Sequence, residues 1–173
     1  TRHGDVTVAA TGFVDATGDA ALAWNAGLAC RESAEGPIYG SQIAIIEDFD
    51  ENNEPTRAEI TARLKVKAQD YGLTRESGIA FVFPGRNTAM VNMTHVETPL
   101  DPLEFSNKSL EGKVQADRAI AFLRGEFPAA FGRARARSYG MLGVRQTRWI
   151  AGTQQLTVED VRAGRKFPDA VAR

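Results

Sequence analysis

Two stretches of the chain hold residue types and spacings suited to chemistry. The first is Val14-Asp15-Ala16-Thr17-Gly18-Asp19-Ala20. Small residues between two carboxylates mark a strand end that runs into a helix N-terminus. Free backbone N–H groups gather at such a spot and favour phosphate. Gly18 would let a ligand come within contact distance of the backbone. The same residues also read as an ordinary strand-to-helix turn with Asp19 as the N-cap. A third reading makes Asp15 and Asp19 magnesium ligands of a phosphoryl-transfer enzyme. The second stretch is Gly143-Val144-Arg145-Gln146-Thr147-Arg148-Trp149-Ile150-Ala151-Gly152. Arg145 and Arg148 stand three apart among glycines and apolar residues. An extended backbone sends them to opposite sides, and a turn lets them converge. Guanidinium groups hold a carboxylate or phosphate bidentately, or form a structural pair with an acidic side chain.

Three further arginines, Arg133, Arg135 and Arg137, alternate with Ala134 and Ala136. Period two puts them on one face of a strand, either as a solvated face or as an anion site. His95 is a lone histidine at a strand end, read as structural or as a proton carrier in a pocket. No set of His, Cys, Asp and Glu has metal-ligand spacing, and there is no Ser-His-Asp constellation.

The elements that would position these residues follow from local patterning. Asp5 to Asp15 reads as a strand, and Ala20 to Trp24 as a helix stopped by Gly27. Ser41 to Ile46 is a short apolar strand. Thr56 caps a helix over 57–71, with Glu59 as its capping-box partner and Ile60, Leu64 and Ala68 on one face. Ile79 to Phe83 and Thr88 to Thr94 are strands joined by Pro84-Gly85-Arg86-Asn87. Pro99 and Pro102 punctuate a loop before a helix over 107–125, whose extension Pro128 ends. Gly132 to Tyr139 and Val144 to Ile150 are extended, and Thr157 caps a short helix.

The 173 residues carry a formal net charge of −1, which argues against nucleic-acid and anionic-membrane surfaces. No apolar run is long enough for a transmembrane helix. A chain this long folds without disulfides or metals. The single cysteine, Cys30, reads as a buried thiol, and with no signal-peptide pattern the expected location is cytoplasmic. The chain starts at Thr1-Arg2-His3-Gly4, which reads as the start of an interior piece.

Val14 to Ala23 resembles the I/V-D-A-T-G-D-(A/G)-D-L-A segment of FAD-dependent oxidoreductases of the glutathione-reductase-like flavoprotein class. Gly143 to Gly152 is similar to that family's G-V-R-E-S-R-R-I-x-G. Leu156 to Val161, with Lys166 to Ala172, is similar to its L-T-x-x-D-V … K-F-x-D-x-I-A continuation. Gly85-Arg86 through Asn92-Met93-Thr94 resembles the strand region between them. Gln146, Thr147 and Trp149 replace the acid, the serine and the second arginine of the pair, and Ala21 stands where the first motif usually has its second acid. The family's Gly-x-Gly-x-x-Gly turn and its closing Gly-rich segment are both missing from these residues.

The resemblance implies an interior section of a two-domain flavoprotein. The fold expected is α+β, a mixed sheet with flanking helices, corresponding to the substrate (cap) region. Residues 1–30 would be an edge of the FAD-binding domain, 31–140 the cap, and 141–173 a return segment. Ala16, Thr17, Gly18 and Asp19 would lie against FAD, and Arg145 and Arg148 would act catalytically near flavin or substrate. The intact parent would transfer hydride through FAD to or from a small molecule. One of the arginines would hold a substrate carboxylate or the anionic reduced flavin. The piece alone would lack FAD and be inactive. The alternative is a non-catalytic module that binds a small anion through Arg133, Arg135, Arg137, Arg145 and Arg148.

Overall fold

The computed structural model describes residues 4–32, 37–144 and 147–168. In chain order the elements are α1 (Ala21–Asn25), β1 (Cys30–Glu32), β2 (Tyr39–Gly40), β3 (Gln42–Glu47), α2 (Arg57–Lys67), β4 (Ile79–Phe83), β5 (Thr88–Asn92), β6 (Val96–Glu97), α3 (Pro102–Glu126), α4 (Pro128–Phe131), β7 (Arg135–Leu142), β8 (Arg148–Ile150) and α5 (Val158–Arg162). They fall into two compact units, Glu32–Thr147 and a smaller one of Thr1–Arg31 with Arg148–Arg173.

The larger unit is built on a four-stranded sheet of order β4-β5-β3-β7, antiparallel at each step. Burial alternates along β3: Gln42, Ala44 and Ile46 are buried, while Ile43, Ile45 and Glu47 are partly exposed. Ala44 and Ile46 share one face with Ala89 and Val91 of β5, where they meet Ile60 and Leu64 of α2 and Ala116, Ala119, Phe122 and Leu123 of α3. Helices thus cover one face of an antiparallel sheet, and the result is the α+β fold expected from the sequence.

Local chemistry sets the boundaries. Thr56 Oγ1 accepts from the Glu59 amide at 3.3 Å, and the Glu59 carboxylate accepts from the Thr56 amide at 2.7 Å. This is the predicted capping box. The β4–β5 hairpin turns at Pro84-Gly85-Arg86-Asn87, and Glu51 accepts from the Gly85 and Asn87 amides at 2.9 and 2.7 Å. The long helix α3 begins at Pro102, ahead of the predicted residue 107. Asp101 caps it by accepting from the Leu103 and Glu104 amides. Pro102 sits in the first turn, where its missing N–H costs nothing. Pro128 likewise opens α4 rather than ending a helix.

In the smaller unit, β1 pairs with β8. The strand expected over Asp5 to Asp15 is not formed. This segment is irregular and largely exposed, with Val6 and Val8 each at 67%. A strand is defined by its ladder, and no described segment supplies one here. Among the described residues no helix is long and apolar enough to cross a membrane.

Candidate functional site

The turn at Asp15 is organised by its own side chains. Asp15 Oδ1 accepts from the Thr17 amide at 3.0 Å and from the Thr17 hydroxyl at 2.7 Å. Asp15 Oδ2 accepts from the Ala23 amide at 2.9 Å, and Thr17 Oγ1 accepts from the Ala21 amide at 2.9 Å. Two of the orphan amides at the start of α1 are therefore satisfied from within. The Ala23 amide first, then the Thr17 hydroxyl and amide, hold the Asp15 carboxyl below its usual range.

This geometry corrects two expectations. Asp19 is not the N-cap. That position is Ala20, in the left-handed region at φ 54°, with no side-chain cap. The capping work falls to Thr17 and Asp15 because Gly18, at φ 87°, folds the chain back so that their oxygens reach the helix start. The N–H groups are also not a free anion nest, since an acceptor already occupies those of Ala21 and Ala23. Both Asp15 oxygens are engaged with amide and hydroxyl hydrogens, which leaves the magnesium reading without support.

The second motif meets this turn. Asp15, Gly18 and Ala20 line a shallow depression of about 230 Å³ together with Arg148, Trp149 and Ile150 of β8. An apolar cleft of about 450 Å³ adjoins it, lined by Phe13, Leu22, Ala23, Ala26, Leu28 and Ile150, with Asp15 common to both. Two cation–ring contacts frame the region. The Arg148 guanidinium carbon lies 4.1 Å from the Trp24 ring centroid, and that of Arg31 lies 5.3 Å from Trp149. Arg31 also donates to Gln155 Oε1 at 2.6 Å. Ala16, Thr17 and Gly18 are exposed on the turn, and Asp19 is partly exposed. Arg145 and Gln146 lie outside the described residues, as does His3.

The sequence had not pointed to Phe13, Trp24 and Leu28 as site residues. Their signal is apolar side chains at exposed positions, visible only once burial is known: Phe13 is 64% exposed and Leu28 56%. Cys30 is partly rather than fully buried.

In the larger unit, Arg135 donates to Asp48 at 2.6 Å and pairs with Glu47 at 2.8 Å, and Arg137 stands 3.8 Å from Glu47. The Asp48 hydrogen bond, followed by the charges of Glu47 and Asp48, raises the Arg135 pKa further. Arg135 and Arg137 do share one strand face, but carboxylates compensate them, which weakens the anion-module alternative. His95 packs against Tyr39, ring centroids 4.1 Å apart, and burial followed by the Arg75 charge pushes its imidazole pKa down.

A family model described as FAD dependent oxidoreductase matches residues 1–173. No curated protein and no solved structure matches the chain.

Proposed function

Because the chain belongs to the family of FAD-dependent oxidoreductases, we propose that its smaller unit supplies part of an FAD contact surface. Its larger unit is then the substrate (cap) domain of a flavoprotein that transfers hydride. The observation that carries this reading is the meeting of the Asp15–Ala20 turn with β8 around one depression.

The donor set fits the cofactor in part. Asp15 and Thr17 turn their oxygens onto the amides of their own turn. What remains on the outside at Ala16, Gly18 and Ala20 is small and uncharged, which suits close approach of a flat or sugar-bearing group. Arg148 adds one guanidinium at the same depression, matched to a phosphate or a reduced-flavin anion. The adjoining apolar cleft, about 450 Å³, has room for a ring system rather than a whole dinucleotide. No Gly-x-Gly-x-x-Gly occurs in the sequence. The reading therefore needs cofactor contacts from outside these residues.

FAD, when bound, supplies the hydride chemistry. The work of this chain is positioning. Asp15 fixes the turn, Ala16, Thr17, Gly18 and Asp19 present the contact surface, and Arg148 offers positive charge over the Trp24 ring. Arg145 has the same proposed role toward flavin or a carboxylate-bearing small substrate.

The test is flavin retention by the polypeptide as its gene encodes it, read by visible absorbance after gel filtration. A yellow protein that loses flavin in Gly18→Val and Arg148→Ala supports the reading. A colourless protein that ignores added FAD sinks it.

A further inference from the structure

One partly buried cation of the larger unit has no counterion. Among the described residues of that unit, the partly buried Lys and Arg side chains are Lys67, Arg75 and Lys108. Lys67 pairs with Asp70, and Lys108 with Glu97 and Glu111. Arg75 meets only neutral oxygens. Its Nη1 donates to Asn92 Oδ1 at 3.4 Å and to the Thr94 carbonyl at 3.3 Å, both long for hydrogen bonds. Its Nε and Nη2 donate to no described group and reach the surface. The other unpaired Lys and Arg side chains described in this unit are exposed, where water serves them. Withdrawing a cation from water without an opposite charge is costly. The position of Arg75 therefore suits an anion that the chain does not itself supply.

The surroundings narrow the choice of anion. Asn92 ends β5 and lies opposite Ile79, which opens β4. Ala89 and Val91 face the core, so Met90 and Asn92 project from the face away from the helices. The register sets Phe81 of β4 and Ile45 of β3 on either side of Met90. An apolar row thus leads along the open face to the Asn92 amide and the Arg75 guanidinium. Phe81 is 54% exposed, and Ile79 and Phe81 also border a depression of about 360 Å³. The nearest charged neighbours of the row are spoken for, since Lys108 is held by Glu97 and Glu111. One guanidinium balances one negative charge, which a carboxylate carries and a phosphate monoester exceeds near neutral pH.

We propose that Arg75 anchors a binding site on the larger unit for a carboxylate with an apolar body, the carboxylate on the guanidinium and the body along Ile79, Phe81 and Met90. A guanidinium fork matches the two carboxylate oxygens, and the Asn92 amide stands beside it. The site gives the small-molecule substrate of the cap reading a chemical class and rests on that reading only for its role in turnover. Binding itself needs no flavin.

Titration calorimetry on the full chain tests this with benzoate and hexanoate, against benzyl alcohol and inorganic phosphate. Both carboxylates are expected to bind at millimolar concentration, and the alcohol and phosphate at least about tenfold more weakly. Arg75→Gln should weaken benzoate by about tenfold or more. Asn92→Asp places a carboxylate of the chain's own at the Arg75 Nη1 acceptor position. It should abolish benzoate binding while melting no lower than the wild type, and it keeps the test informative if Arg75→Gln misfolds. Bound carboxylate also offsets the Arg75 charge felt by His95. The His95 imidazole should then titrate at higher pH by NMR with benzoate present, the signal being identified by its loss in His95→Gln. Carboxylates that do not bind overturn the proposal. So do phosphate that binds as well as they do, and benzoate binding that persists in Asn92→Asp. Benzoate binding by a protein that ignores FAD would sink the flavin reading and leave this site standing. Flavin retention without carboxylate binding would do the reverse.

Discussion

The guanidinium of Arg148 lies over the indole of Trp24, its carbon 4.1 Å from the ring centroid. Trp24 is half exposed, and the stack covers one of its faces. This contact links the helix after the first motif to the strand of the second, so it reports on whether the two motifs are assembled.

Arg148→Lys keeps the charge but loses the guanidinium over the ring, and Arg148→Ala loses both. A cation over an indole contributes about 0.5–2 kcal/mol depending on exposure. Both substitutions are expected to lower stability within that range. In a Trp149→Phe background, Trp24 is the one remaining indole, and acrylamide should quench it more readily once Arg148 is replaced. Unchanged quenching would show that the stack does not persist in solution.

The Asp15–Thr17 turn gives a second prediction. Thr17→Val removes the acceptor for the Ala21 amide and is expected to cost about 1 kcal/mol, as loss of a helix cap does. Asp15→Ala removes acceptors for the Thr17 and Ala23 amides together. Exchange of the Ala21 and Ala23 amide hydrogens should then accelerate, measured by NMR. The folded pKa of Asp15 lies below 3.8, so its contribution is full above the unfolded value and is lost as pH falls through the folded one. Acid unfolding of Asp15→Ala should lack that component below pH 3.8.

The parts of this fold legible in the sequence are those set by neighbours along the chain. Thr56 and Glu59 cap each other across three residues, and Pro84 to Asn87 separates two short apolar runs, so the helix start and the hairpin were both readable. Asp5 to Asp15 has strand composition, but a strand needs a partner that composition does not reveal. Pro102 has one meaning as loop punctuation and another as a first-turn residue, and the Asp101 cap decides between them. At the site, the motif itself was visible. The inward commitment of Asp15 was not, because its acceptor bond reaches Ala23, eight residues on. The partner of Arg135 is Asp48, 87 residues away, a pairing that no local pattern carries.

Gly112 lies inside α3, where glycine ordinarily costs about 1 kcal/mol relative to alanine. Alanine would therefore stabilise an exposed helix position. Here a Cβ would stand 2.9 Å from Gln42 Cβ. Gln42 cannot easily yield: it is 1% exposed, donates from Nε2 to the Gly140 carbonyl at 2.6 Å, and is bound to Thr94 through its amide at 2.7 Å. Overpacking of this kind costs about 1–3 kcal/mol. Gly112→Ala is expected to be net destabilising in urea unfolding, and in a double-mutant cycle with Gln42→Gly, which removes the opposing Cβ, the loss caused by Gly112→Ala should shrink. A stabilised Gly112→Ala would mean that α3 does not sit this close to β3.

His95 supplies the prediction for pH. Its ring packs on Tyr39, its backbone amide donates to Gln115 Oε1 at 2.9 Å, and the Arg75 guanidinium reaches the neighbouring Thr94 carbonyl at 3.3 Å. Burial first, and the Arg75 charge second, disfavour the imidazolium and set the folded pKa below 6.5. A depressed folded pKa means that the neutral ring's contribution is full above the unfolded value. That contribution is lost as pH falls through the folded value, and the loss levels off below it. Carboxylates also titrate in acid, so the informative quantity is the difference between wild type and His95→Gln. Urea midpoints of the two proteins, compared stepwise from about pH 7.5 to about pH 4.5, should converge as pH drops, with the wild type losing its lead. Parallel curves across that window would place the imidazole in solvent, away from Tyr39 and Arg75.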